Sequence, residues 1–334
     1  MILVSGGTGL VGSHLLFLLT EKGYPVRAIY RNRKNISETE RIFRFYKEDA
    51  QQQLDLIEWV EADVTDYYAL VDALQGVKHV YHAAARVSFN PGESELMLQV
   101  NTEGTANLMN ACLQVGIEKV CYVSSVSSLG KNLESNIIDE NVEWQPDDYR
   151  SAYSYSKFRA EMEVWRASKE GLPVVIVNPS VVIGPVNWKR SSGRLFYSVK
   201  KGMPFYTNGG TGFVDVRDVA RAAVMLMESD VVNERYILNS ENLTYKEFFT
   251  IVAKALGKRP PFIRASKWIT ELGWRINLVL CAIAGKAPAI TKDTARTAHS
   301  VSYYSAEKFS TQFNYKFLPI SEAVENASRW FKKQ

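Results

Sequence analysis

Apolar residues in this chain fall into short continuous runs, separated by longer stretches where they recur every three or four positions. The runs occupy 1–4, 25–30, 56–61, 79–82, 119–123 and 173–178. Runs this short, rich in β-favouring side chains, read as strands buried on both faces. The stretches between them read as helices. One opens at His14-Leu-Leu-Phe-Leu-Leu19 and stops near Gly23, a second runs from about Ser94 to Val115, and a third starts near Ser151. Strand and helix alternate about six times, which predicts an α/β fold with a doubly wound parallel sheet, a Rossmann fold. The polar connection over 36–56 is long for a crossover and has no evident role. Beyond Gly184-Pro185 the rhythm breaks. We expect a dinucleotide-binding domain over 1–180 with a returning segment at about 212–240. A smaller, mostly helical substrate region would take 181–211 and 241–334, with Pro260-Pro261 as a linker signal.

The first strand runs into Ser5-Gly-Gly-Thr-Gly-Leu-Val-Gly12 and then a helix, the setting a dinucleotide fingerprint requires. Its spacing is met twice, by Gly6, Gly9 and Gly12 and by Gly7, Gly9 and Gly12. Glycines let main chain approach a pyrophosphate, and the helix start offers N–H groups and partial positive charge. Gly6, Thr8, Gly9, Leu10, Val11 and Gly12 are therefore candidate cofactor contacts. Arg31 stands 19 residues after Gly12, at the end of the second strand, where an acid would grip a ribose 2′-hydroxyl. A guanidinium there suits a 2′-phosphate, which favours NADP(H) and keeps NAD(H) as the alternative. Ala83, Ala84 and Ala85 end the fourth strand and leave room for a cofactor against the backbone.

Composition narrows the classes. The 334 residues are 46% hydrophobic, and a net charge of +4 is too small and dispersed for a nucleic-acid binder. Cys112, Cys121 and Cys281, with four scattered histidines, lack metal-ligand spacing, so no metal is expected. Met1 already belongs to the first strand, which gives the expectation of a cytoplasmic protein without a leader. The most apolar later stretch, 269–284, contains Glu271, Arg275 and Asn277 and reads as a buried or amphipathic helix, too short to span a bilayer.

Candidate chemistry lies on the third helix. Tyr153 and Lys157 are four apart and share a face. An ammonium beside a phenol favours the phenolate and draws its pKa down toward neutrality. The pair can then pass a proton to a carbonyl being reduced, or take one from an alcohol. Ser125, ending the fifth strand, can hydrogen-bond the same oxygen. Ser124, Ser127 and Ser128 beside it are candidates for capping turns.

These motifs together resemble the extended short-chain dehydrogenase/reductase family, also called the NAD-dependent epimerase/dehydratase family. The resemblance rests on the glycine turn, Asp63-Val64, His82-Ala-Ala84, Asn101-Thr-Glu-Gly-Thr105, Tyr122-Val-Ser-Ser125, Tyr153-x-x-x-Lys157, Asn178-Pro179 and Phe213-Val-Asp-Val-Arg-Asp218. It implies a catalytic Ser125, Tyr153 and Lys157. It further implies that Asp63 and Val64 flank the adenine, that the segment after Pro179, including Val182, meets the nicotinamide carboxamide, and that Asn101 is structural. Homodimers are common in that family, which leaves a homodimer open. Val126-Ser127 replace the acidic pair of sugar-nucleotide dehydratases, and Gly210-Thr-Gly212 lacks the diphosphate-clamping arginine of many epimerases. With Arg31, these departures look more like the dihydroflavonol reductase and 3β-hydroxysteroid dehydrogenase branch. The expected activity is an NADP(H)-dependent oxidoreductase acting on a ketone, aldehyde or alcohol of apolar or semi-polar character. A nucleotide-sugar epimerase is the alternative enzyme, and a non-catalytic NADP-sensing protein the alternative outside catalysis. Trp188, Phe196, Tyr197, Phe205 and Tyr206 suit either an apolar substrate site or plain core.

Overall fold

The computed structural model describes residues 1–88, 90–132, 135, 137–145, 148, 151–188, 191–283 and 291–333. In chain order the strands that organise it are β1 (Ile2–Ser5), β2 (Val26–Tyr30), β3 (Ile57–Glu61), β4 (His79–His82), β5 (Lys119–Val123) and β6 (Val174–Pro179), then β7 (Val181–Ile183), β8 (Gly210–Asp215), β9 (Glu234–Leu238) and β10 (Glu241–Thr244). Seven of them form one parallel sheet in the order β9-β6-β5-β4-β1-β2-β3. The winding reverses between β1 and β4, where crossovers diverge and leave a crevice at the carboxyl ends. The principal helices are α1 (Leu10–Glu21), α2 (Ile36–Tyr46), α3 (Gly104–Val115), α4 (Ala152–Lys169), α5 (Val216–Glu228), α6 (Tyr245–Leu256), α7 (Lys267–Ile283) and α8 (Ile320–Lys332).

Both faces of the sheet are covered, which is why β5 and β6 are buried along their length and, Lys119 and Asn178 aside, apolar. Leu15, Leu16 and Leu19 of α1 pack with Val219, Ala223 and Leu226 of α5 on one face. Leu108, Met109 and Cys112 of α3 pack with Ala160, Val164 and Ala167 of α4 on the other. A third apolar cluster joins Phe196, Phe213 and Phe248 to Trp330 and Phe331 of α8.

The predicted third strand and its neighbours stand where the apolar runs place them. The segment beginning at Gly210 differs. Of the segment expected to return at about 212–240, α5 and β9 join the main domain, whereas β8 pairs with β7 and β10 in a separate three-stranded sheet. The seventh strand of the main sheet is β9, around Tyr236–Leu238.

The connection over 36–56 has a structural task. It folds into α2 and a short helix, Gln51–Leu54. The Tyr46 hydroxyl lies 3.0 Å from Nε2 of His14 and accepts from Nδ2 of Asn326 at 2.9 Å, while Phe45 meets Trp330 edge to face. Thus α2 clasps α1 to α8. The helix predicted over 94–115 contains one turn of π-helix, Gln99–Glu103, between α-helical Ser94–Leu98 and α3. It ends at Gly116, whose φ of 81° is readily adopted by glycine alone.

Candidate active site

The glycine turn is packed backbone on backbone. Gly6 has φ +72°, and a Cβ there would meet the Ala84 nitrogen at 2.6 Å and the Ala83 carbonyl carbon at 2.7 Å. A Cβ on Gly12 would lie 2.1 Å from the Gly6 carbonyl oxygen. Helix α1 starts at Gly9 with no side-chain cap and no acid in its first turn. Its leading N–H groups therefore keep the partial positive charge of a helix start, which suits a phosphate. Thr8 and Val11 are half-buried, Leu10 is buried and Gly9 is exposed. This cradle of close backbone and uncapped amides fits a dinucleotide pyrophosphate.

The remaining predicted cofactor contacts sit at the carboxyl ends of the same strands. Arg31, just past β2, reaches Asp63, just past β3, with Nη1 3.9 Å from Oδ2, and both are well exposed. Arg33 and Lys34 line a cleft with Tyr30, Ser37 and Trp59 at the end of β2. Val64 is buried, and its side chain takes the space a Cβ on Gly104 would need. Ala83 and Ala84 press on Gly6, and Ala85 is exposed. Pro179 closes β6 and is buried; Val182 of β7 packs, with Val11, against the core beside α1. Gly184 lies beside Leu10, so this segment runs past the start of α1.

Ser125, Tyr153 and Lys157 converge as the spacing expects. Ser125 ends the strand in extended backbone and accepts a hydrogen bond from the Ser127 N–H at 3.1 Å. Its side chain lies near the Tyr153 phenol, close enough to draw the phenol's pKa down. Helix α4 opens on a capping box, Ser151 and Ser154 bonding each other's backbone N–H, which fixes Tyr153 in the first turn. Lys157, one turn on, is buried and donates from Nζ to the Tyr122 hydroxyl at 3.0 Å and to the Val123 carbonyl at 2.9 Å. Burial lowers its pKa to about 7, and nearby Glu161 opposes that fall. The phenol behaves differently from the sequence argument. Burial raises the Tyr153 pKa, and nearby Ser125 offsets only part of the rise. Tyr153 is therefore a protonated phenol at neutral pH.

The cradle and Tyr153 are joined by Asn101. Its Oδ1 accepts from the Arg86 N–H at 2.7 Å, and its Nδ2 donates to the Arg86 carbonyl and to Ser156 Oγ at 3.0 and 2.9 Å. Ser156 Oγ in turn donates to the Tyr153 carbonyl at 2.8 Å. The π-turn aims this amide, a common use of such bulges.

Sequence reasoning missed a buried carboxylate beneath the site. Glu161 accepts from Ser124 Oγ at 2.6 Å, Ser128 Oγ at 2.7 Å and Asn178 Nδ2 at 2.8 Å, and pairs with Arg235 at 3.3 Å. The signal was available: Tyr153, Lys157 and Glu161 are successive fourth positions on one helix face. Tyr122 was missed too, because its run in β5 carries no mark of which residue faces Lys157. Trp188 and Phe196 prove to be core against Phe331, while Tyr197 and Phe205 are exposed. Gly212, where a clamping arginine is absent, has no spare room: a Cβ would meet Asn239 Oδ1 at 2.2 Å.

Comparison with known proteins shows the family and the fold. The sequence model of the NAD dependent epimerase/dehydratase family matches residues 2–239. A Synechocystis sp. protein described as a dihydroflavonol 4-reductase is 30% identical over 98% of this chain and 94% of its own length. Cinnamoyl-CoA reductase 1 of Petunia hybrida is 29% identical over 78% of each chain. Among solved structures, that of gox2253 superposes with a TM-score of 0.82 at 31% identity, covering 100% of this chain and 98% of the other. UDP-glucose 4-epimerase of Thermus thermophilus, solved with NAD, has a TM-score of 0.73 at 22% identity over 99% and 98% of the two chains, a likeness of fold.

Proposed function

Because the chain belongs to the NAD-dependent epimerase/dehydratase family, we propose that it is an NADP(H)-dependent reductase of small apolar or semi-polar ketones or aldehydes. When bound, a nicotinamide dinucleotide supplies the hydride donor or acceptor. The residues that would hold it are the glycine turn with Thr8, Leu10 and Val11, Arg31, Asp63 and Val64, Ala83 to Ala85, and the Pro179–Val182 segment. The observation that carries the proposal is that Ser125, just past β5, and Tyr153, in the first turn of α4, meet beside the sheet edge that bears the glycine cradle. Tyr153 gives its phenolic proton to the carbonyl oxygen, and Ser125 polarises that oxygen. A phenol kept protonated by burial is suited to the reductive direction. Lys157 stabilises the negative charge left when the proton departs and holds the cofactor ribose. Arg31, with Arg33 and Lys34 nearby, supports a 2′-phosphate. The relatives named as reductases, and a β8 strand without a diphosphate clamp, support a carbonyl substrate over a sugar nucleotide.

The test is NADPH oxidation with a panel of apolar ketones and aldehydes, alongside fluorescence titration of both cofactors. Tyr153→Phe should keep cofactor affinity within about threefold and lose about 100-fold or more in turnover. Arg31→Asp should weaken NADPH about tenfold and spare NADH. Near-wild-type turnover of the Tyr153 variant would overturn the site. Equal wild-type affinity for the two cofactors would overturn the NADP assignment.

A further inference from the structure

Helix α7 and the ribbon before it present apolar side chains that no part of the described fold covers. In the ribbon Phe205 pairs in register with Ile263, and both are exposed. Phe262 beside them is 55% exposed. On α7, Trp268 is 86% exposed and Leu272 60%, followed by Ile276 at 50%. Positions 268, 272 and 276 lie along one stripe of the helix. Isolated apolar residues at a surface are ordinary, but exposed aromatics and aliphatics gathered in one short stretch and along one helix stripe mark an interaction site.

The charge around the patch is mostly positive. Lys258, Arg259, Arg264, Lys267 and Arg275 fall within 258–283, against a single acid, Glu271, which is itself paired with Arg275 at 2.7 Å. Lys200 and Lys201 join Lys258, Arg259 and Phe262 around a surface cavity of about 370 Å³. Arg259 also lies over the Phe262 ring, 4.2 Å from its centre.

We propose that this face docks the protein on an anionic phospholipid surface, with the α7 stripe and Phe262 entering the headgroup boundary and the basic rim meeting lipid phosphates. An apolar stripe carrying Trp and Leu, flanked by Lys and Arg, is the pattern of helices that lie in an interface. None of the described helices is long and apolar enough to cross a membrane, so the contact is peripheral. A second copy of the chain is the poorer occupant. Its own patch would bring the same positive rim against this one.

The test is cosedimentation of the intact protein with phosphatidylcholine vesicles, with and without about 30% phosphatidylglycerol. Binding should be at least about tenfold stronger to the anionic vesicles and should fall steeply in about 0.5 M salt. Trp268→Ser with Leu272→Ser, and separately Lys258→Glu with Arg259→Glu, should each reduce binding about tenfold or more. Tyr68→Ser, which removes an exposed ring from another part of the chain, should leave it unchanged. Circular dichroism spectra and cofactor titration establish that each variant is folded. Absence of binding to anionic vesicles overturns the proposal, as does binding indifferent to both double variants. Self-association of the free protein, abolished by the α7 variant without any vesicle binding, assigns the face to a second copy and overturns it as well.

Discussion

Two histidines hold the residue scale together, and both do so uncharged. His82 places Nδ1 2.7 Å from Ser5 Oγ and Nε2 3.0 Å from Thr105 Oγ1, so it ties β1 and β4 to α3. Burial lowers its pKa to about 3, with Lys157 adding to the fall. His14, held by the Leu10 carbonyl and Tyr46, is lowered by burial to about 4. Unfolded histidine takes up a proton below about pH 6.5, whereas these two stay neutral when folded until about pH 4 and about pH 3. Between those limits the unfolded chain binds more protons, and stability falls as pH falls. Once well below pH 6.5, each histidine should cost about 1.4 kcal/mol per pH unit. Urea midpoints at pH 7 and pH 5 test this, and His14→Gln should flatten the slope; an unaltered slope would show that other groups set it. Lys157, Tyr153 and the glycines were legible in the sequence because their spacing, along one helix face and within one turn, is itself local. Ser5 and Thr105 were not, because each acquires its meaning from a residue brought alongside by the sheet or by a packed helix.

At the scale of elements, the glycines of one turn do different work from those that end helices. A methyl group at Gly12 would collide with the Gly6 carbonyl, and neither backbone can yield. Gly12→Ala should destabilise the fold on the order of 1–3 kcal/mol and abolish cofactor binding. At Gly116 a Cβ has nothing within 4 Å, and only the left-handed φ opposes it. Gly116→Ala should therefore cost about 1–2 kcal/mol and leave cofactor affinity intact. Thermal melts and NADPH titration separate the two cases; equal cofactor affinity in both variants would remove the cradle from its role. The end of α1 near Gly23 and the start of α4 at Ser151 could be read from a glycine and a cap. The π-turn could not, since Gln99 to Glu103 are ordinary helix residues and the widening comes with the Asn101 bonds to Arg86 and Ser156.

For the whole molecule, alternation of apolar runs and helices was enough to indicate a parallel sheet. The order of its strands, and the separate sheet of β7, β8 and β10, depend on pairings between distant segments that local pattern does not encode. The role of helix α2 was unreadable for the same reason: Phe45 and Tyr46 find their partners on α8. Ending the chain at Pro319 would strip Trp330 and Phe331 from the third apolar cluster. Such a chain should be largely insoluble, with solubility restored by supplying α8 as a peptide; a soluble truncated protein melting within a few degrees of the full chain would refute this. The Tyr46–Asn326 bond spans 280 residues of sequence. At ribosomal speeds of about 5–20 residues per second, Tyr46 is synthesised roughly a quarter of a minute to a minute before its partner. For that interval the nascent α1–α2 unit shows an uncovered aromatic face, which makes it a natural client for a ribosome-associated chaperone.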